Sequence, residues 1–325
     1  MLSNMLNRLN FVVWFNILVF ATGFIIRIQK EKFAIEEDKA IPSTKSTIGE
    51  MKDVSHIFCA SWCAAYLTCC SASFDKSTKK CMLNSCCISE TELSANRTFI
   101  RKLPYQFTDT FRDCSDIPQG SASGTYTMYH RDGSFDAYCD MKTDGKWTVI
   151  QRRLDGTTDF YRNWQEYKQG FGNVNCEYWL GNDNLQSILS TKDYTLRIDL
   201  QDWNNETRYA EYDTFFIGNE TTNYKLTIGD YNGTVGDSIL SPSRECCKLN
   251  GMAFSTFDND NDNSLRNCAL DSEHAGWWFN RCTQTNLNGF YYNGGVVSGD
   301  GMYWKAWNGS DYSLKTVTMK IRPKL

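Results

Sequence analysis

Fourteen cysteines in 325 residues constrain this protein more than any other feature of its sequence. They fall into two sets of seven, Cys59 to Cys87 and Cys114 to Cys282. The doublets Cys69-Cys70, Cys86-Cys87 and Cys246-Cys247 lack the Cys-x-x-Cys spacing of zinc knuckles, so the thiols read as disulfide partners in an oxidising compartment. Five Asn-x-Ser/Thr sequons agree with that compartment: Asn96, Asn205, Asn219, Asn232 and Asn308. At 41% hydrophobic and 14% aromatic the protein can bury a sizeable core, and its length suits two domains, one of them large. The formal charge of −4 supplies no basic footprint, which sets nucleic acid aside as a partner.

The apolar run Phe11–Ile26 follows a start whose one positive charge is Arg8. It is shorter than the roughly 20 apolar residues of a bilayer span. Ala21 and Gly23 offer small residues for cleavage, so residues 1–26 are expected to be a signal peptide of a secreted protein. The alternative is an uncleaved signal anchor at the plasma membrane, because Arg27 and Lys30 follow directly. Residues 27–50 are polar and charged, with no sustained heptad or Gly-X-Y repeat, and are expected to be a linker.

Residues 51–103 form a cysteine-dense module. Cys59 and Cys63 lie at i and i+4, which puts both thiols on one helical face. SASFDKSTKKCML reads as strand, polar turn and strand. This segment resembles the PAN/apple family, which implies a disulfide-tied helix against a small sheet and binding to proteins or sugars. The extra Cys86 and Cys87 leave its pairing scheme open. A spacer stapled by disulfides because its core is small is the other reading.

From residue 108 onward, aromatic-rich runs alternate with Gly, Asp and Ser, which argues for short antiparallel strands. DFYRNWQEYKQGFG and CEYWLGNDNLQSILST read as helical, the second on the spacing of Leu185, Ile188 and Leu189. YTLRIDLQDW, RYAEYDTFFI, YKLTIGDY and the closing TVTMKIRP alternate as half-buried strands. Trp147, Trp164, Trp179 and Trp203 are expected to be core anchors.

DCSDI, YCDMKTDGKWTVIQRR, EYWLGND, YAEYDTFFIG, NGMAFST, NLNGFYYNGG and MKIRP occur in the order of a fibrinogen-related domain, and residues 108–325 resemble that family, which includes ficolins, tenascins and fibrinogen chains. The resemblance implies an α+β fold: a mixed, mostly antiparallel sheet with short helices and a loop-rich, calcium-binding lobe. It also implies disulfides Cys114–Cys139 and Cys268–Cys282. By elimination Cys176 is expected to pair with Cys246 or Cys247, leaving one cysteine in each half to link the domains or two chains, for instance in a disulfide-linked homo-oligomer.

The stretch Asp258–Cys282 is the centre of interest. In the family, two Asp carboxylates and two backbone carbonyls bind calcium. Matched through Asn267-Cys268-Ala269, these are Asp260, Asp262 and the carbonyls of Ser264 and Arg266, with Asp258 supporting the loop. An EF-hand fails by counting. From Asp258, Asn263 stands where Gly is needed and Ala269 where Glu is needed.

Family members that bind acetylated sugars use backbone amides around the second cysteine, beside a peptide that is cis in several of them. Here those positions are Arg281, Cys282 and Thr283. Thr283 replaces a His, while Ser272 and Ser298, ahead of Gly299, replace Tyr rings. The site is therefore more polar or wider than an acetyl-selective one. Trp277 and Trp278 could stack on a sugar, although core filling is the commoner use of such a pair.

Gly236-Asp237-Ser238 and Asp271-x-x-His274 mimic the blocks of a hydrolase, but Ser238 lies between sheet strands and the calcium loop, so no enzyme is expected. The expected function is that of a secreted, calcium-dependent, lectin-like protein. It would bind glycans or glycoproteins on cell or microbial surfaces in innate defence. The alternative is a matrix or adhesion protein that binds protein ligands through the same domain.

Overall fold

The computed structural model describes residues 13–14, 20–21, 24–25, 32–40, 47–65, 69–85, 92–102, 111–130, 133–142, 145–295 and 299–324. The chain divides into two units, Met1–Thr108 with Ser121–Thr125 and Asp109–Gly120 with Tyr126–Leu325. Most of the expected signal peptide lies outside the described residues. Among those described, no helix is long and apolar enough to cross a membrane.

In the first unit an antiparallel sheet runs in the order Val13–Trp14, Lys32–Ala40, Glu92–Lys102, Cys69–Asp75, Lys80–Ser85, Thr47–Met51. Residues 27–50, expected to be a linker, thus contribute two strands. Phe33 and Ile35 carry a two-residue period that the polar composition of the segment obscures. The helix His56–Ala65 lies against the sheet. Disulfides Cys59–Cys81 and Cys63–Cys69 tie it down, with Cα atoms 5.6 and 5.3 Å apart respectively. Cys59, Cys63, Ala72, Phe74 and Leu83 form its small core, in which the disulfides take the place of bulk.

The second unit is built on a nine-stranded sheet. Along its main path the strands run Phe171–Gly172, Tyr178–Trp179, Trp147–Arg153, Thr316–Pro323, Tyr194–Gln201, Thr207–Tyr212, Tyr231–Gly233. The described strand pairings within this sheet are antiparallel, and a single parallel bridge joins Phe111 to Met128 on its strand Gly124–His130, so the sheet is mostly antiparallel as expected. Tyr194, Leu196, Ile198 and Leu200 are buried on alternate positions. Val317, Met319 and Ile321 do the same on the neighbouring strand. Burial of each such residue contributes about 1.5–3 kcal/mol. The helices Trp164–Gln169 and Asn182–Leu189 are short, the first closed by a capping box between Asn163 and Glu166.

Trp147 and Trp179 are buried, whereas Trp164 and Trp203 are half-buried and spend their ring N–H groups on Glu220 and the Ser313 carbonyl. Between residues 250 and 315 loops predominate, interrupted among the described residues only by elements of two to four residues. Trp179, Tyr167, Phe254 and Trp278 pack beneath them, with Phe254 5.1 Å from Trp278 and 5.2 Å from Tyr167. Gly276 belongs here because a Cβ would lie 2.4 Å from the Tyr167 ring.

Candidate functional site

The acidic loop is wound by its own side chains. Asp260 accepts from Asp262 N at 3.2 Å, Asp262 from Ser264 N at 2.7 Å, and the Ser264 hydroxyl from Arg266 N at 3.3 Å. Each short oxygen thus captures the N–H two residues on, a turn habit of Asp and Ser. The intervening Asn261 points inward and donates to the Phe254 carbonyl at 2.9 Å. Asp258 accepts from Thr256 Oγ1 and from Trp164 N, which pins the loop to the first turn of a helix.

Asp262 also accepts from Cys268 N at 2.8 Å, just where Asn267 caps the helix Cys268–Asp271. Burial, assisted by the Asp260 charge, pushes the Asp262 carboxyl above the usual carboxylate range, against the pull of the Cys268 and Ser264 N–H groups. Neither Asp260 nor Asp262 has a cationic partner among the described residues, and the Ser264 and Arg266 carbonyls accept no hydrogen bond there. No cluster of three or more His, Cys, Asp or Glu able to hold a metal exists among the described residues. A hard cation would therefore need those carbonyls beside the two carboxylates, and the donor set present is of that kind.

Cys268 and Cys282 are disulfide-bonded with Cα atoms 5.4 Å apart, and Cys114–Cys139 closes at 5.6 Å. The described residues contain no cis peptide, so Arg281–Cys282 is trans, with Cys282 at φ +20°. The Cys282 and Thr283 N–H groups make no hydrogen bond among the described residues, whereas Arg281 N is spent on the Cys246 carbonyl at 3.0 Å. The Thr283 hydroxyl is occupied by Thr285, and Ser272 Oγ donates to the Cys268 carbonyl. Gly299 sits at φ +91°, and Ser298 lies outside the described residues. Trp277 and Trp278 are each only 1% exposed, so they are core and offer no sugar-stacking surface.

A face that sequence reasoning missed stands beside this loop. His274 stacks on Phe290 with centroids 5.4 Å apart, and Tyr161 meets both rings edge-on at 5.6 and 6.0 Å. Tyr292 extends the row and donates to Asp300, whose other oxygen lies 3.3 Å from His274 Nδ1. His274 lies in the segment between Cys268 and Trp277. Nothing in the sequence placed it against residues 161 and 290. Beneath it Glu273 is buried, accepting from Tyr303 OH at 3.0 Å and Asn286 Nδ2 at 3.2 Å.

An adjoining cleft of about 430 Å³ is walled by residues 156–160 on one side and 290–292 on the other, with Arg153 at its floor. Arg153 is 1% exposed. It donates to the carbonyls of Leu287 and Gly289, and it lies 3.8 Å from Glu177, which is fully buried. Glu177 in turn accepts from the N–H groups of Leu154, Asp155, Gly156 and Thr158. One buried ion pair therefore sets both walls. Gly156, at φ +75°, leaves room for Tyr291, whose ring a Cβ would approach to 2.7 Å.

The hydrolase-like blocks do not assemble. Ser238 is buried and accepts from Ala306 N, Asp237 is used by the N–H groups of residues 239–241 and by Tyr212 OH, and His274 faces Asp300. The expected pairing of Cys176 with the doublet is also absent. Cys176 is buried, and no disulfide joins it to Cys246 or Cys247, whose sulfurs lie 3.7 Å from each other.

Of the sequons, Asn205, Asn219 and Asn232 are exposed, and the Asn96 side chain lies outside the described ones. Asn308 differs because its Nδ2, the atom that would carry a glycan, is buried without a partner. Glycopeptide mapping of the protein expressed in a eukaryotic host is expected to find sugar on Asn205, Asn219 and Asn232 and none on Asn308. Full occupancy of Asn308 would contradict the packing described.

Residues 110–324 match the family described as fibrinogen beta and gamma chains, C-terminal globular domain. Fibrinogen-like protein 1 of Bos taurus is 46% identical over 226 residues, covering 66% of this chain and 72% of that protein. The fibrinogen-like globe domain of human ANGPTL2 aligns with a TM-score of 0.61 at 40% identity, over 66% of this chain and all (100%) of that one. A lamprey fibrin D-dimer complexed with the peptide ligand Gly-His-Arg-Pro-amide aligns with a TM-score of 0.61 at 34% identity, over 67% of this chain and 74% of that one.

Proposed function

The protein belongs to the family defined by the globular domain at the C-terminal end of the fibrinogen beta and gamma chains, and from that premise we propose that it is an extracellular recognition protein whose loop-rich lobe binds a protein ligand. The observation that carries this reading is the row Tyr161, His274, Phe290 and Tyr292 ending at Asp300. Rings presented on rigid loops give contact area at low entropic cost, and the adjoining carboxylate suits a cationic group on a peptide. The peptide bound to the related fibrin D-dimer supports a ligand of this class. The disulfides and exposed sequons support the secreted location.

Calcium belongs to the same proposal. Asp260, Asp262 and the Ser264 and Arg266 carbonyls would hold it, and the ion would neutralise two carboxylates that otherwise repel. Asp262 would then hold the Cys268 N–H, and with it the disulfide-closed loop, in one arrangement. The PAN/apple-like reading of residues 51–103 is supported by a helix tied to a sheet through two disulfides.

Glycan recognition of the ficolin type is the second reading. The Cys282 and Thr283 N–H groups favour it, and the Ser272, Thr283 and Ser298 replacements weigh against it. The test is the full-length protein on arrays of extracellular protein domains and of glycans, with and without chelator. Protein binders are expected, with affinity falling roughly tenfold or more on His274→Ala and also on Asp260→Ala or chelation. Binding confined to glycans, and indifferent to His274→Ala, would replace the proposal with the lectin reading.

A further inference from the structure

The doublet Cys246-Cys247 takes no part in the acidic loop or the aromatic row. Residues 109–325 contain seven cysteines, an odd number that cannot all pair within that unit. The two disulfides use Cys114, Cys139, Cys268 and Cys282, while Cys246 and Cys247 are free thiols. They occupy the short turn Glu245–Cys247, with Cys246 exposed, Cys247 buried and their sulfurs 3.7 Å apart. Both sides of Arg281 are held here. Its N–H donates to the Cys246 carbonyl at 3.0 Å, and its carbonyl lies 3.7 Å from Cys247 Sγ. Burial, with the Cys246 thiol beside it, pushes the Cys247 thiol up to about 11 despite Arg244 and Lys305 nearby. The two thiols thus differ in role: Cys246 is the accessible nucleophile and Cys247 retains its proton.

We propose that Cys246 and Cys247 form a thiol–disulfide exchange site, which takes a low-molecular-weight disulfide of the glutathione type and closes to a vicinal disulfide. The Cys246 thiolate attacks one sulfur of the external disulfide, making a mixed disulfide and releasing one thiolate. The Cys247 sulfur then attacks Cys246 Sγ, its proton leaves with the second released thiol, and the Cys246–Cys247 bond forms. The doublet loses two electrons and the external disulfide gains them. Closing the sulfurs from 3.7 Å to a bond of about 2.05 Å must shift the turn that carries the Cys246 carbonyl. The shift is passed to Arg281 and so to Cys282, at the edge of the candidate binding loop.

The test treats the full-length protein, its native disulfides intact, with glutathione disulfide, followed by intact mass and peptide mapping. The wild type is expected to become lighter by two hydrogens, with a Cys246–Cys247 cross-link and no retained glutathione. Cys247→Ser is expected to stop as a glutathione adduct on Cys246, and Cys246→Ser to react at neither position. A stable adduct on wild-type Cys246, a dimer linked through it, or no reaction at the doublet would each overturn the proposal. Phenylarsine oxide, a reagent for paired thiols, provides a test without variants. It should bind the doublet of the untreated wild type and fail to bind after glutathione disulfide, and absence of initial binding would also overturn the proposal.

Discussion

Arg153→Met is expected to destabilise the C-terminal unit by about 3–5 kcal/mol, because it strands a buried carboxylate and frees two buried carbonyls at once. Glu177 is fully buried, and its cation is Arg153 at 3.8 Å. Four backbone N–H groups still reach Glu177 after the substitution, so the loop 154–158 keeps its anchor but loses its link to Leu287 and Gly289. Denaturation followed by tryptophan fluorescence measures the loss. Glu177→Gln should cost a comparable amount, and the double variant less than the sum, since neither then leaves an unpaired charge. A loss below about 1 kcal/mol for Arg153→Met would mean that the pair does not set the walls of the cleft.

Glu273→Gln is expected to act in the opposite direction, stabilising the unit at neutral and alkaline pH. Burial is the main cause that pushes Glu273 up to about 7 from 4.5, opposed by hydrogen bonds from Tyr303 and Asn286 and reinforced by Asp300. Below about 4.5 both the folded and the unfolded forms carry the proton, and the group contributes no pH dependence. Between about 4.5 and about 7 the unfolded form ionises first, so stability falls as pH rises. Above that window the penalty is constant, on the order of 3 kcal/mol. The amide variant should flatten this slope in urea titrations taken from pH 4 to pH 8. An unchanged slope would show that Glu273 ionises normally in the fold.

The regular elements were largely legible because each is a local pattern. The alternation in Tyr194–Gln201 and the helical spacing of Leu185, Ile188 and Leu189 need no distant partner to be read. The i, i+4 pair Cys59 and Cys63 declared its helix in the same way. The acidic loop was legible through its Asp positions, since the captured N–H lies only two residues away. The aromatic row was not, because Tyr161, His274 and Phe290 come from three loops far apart in the sequence. The burial of Asn308 was not legible for a related reason: a three-residue acceptor pattern carries no information about burial. Cys176 misled by counting, which assigns partners without regard to distance.

The strand Thr316–Pro323 follows every other described strand and yet lies between Trp147–Arg153 and Tyr194–Gln201 at the middle of the sheet. During synthesis the two flanking strands emerge well before the one that joins them. Until it arrives, each exposes an apolar face and an unsatisfied hydrogen-bonding edge, the combination that invites aggregation. Closure of the sheet must therefore await the synthesis of residues 316–323, and a ribosome stalled before residue 316 would hold a polypeptide open to chaperones but not yet able to fold.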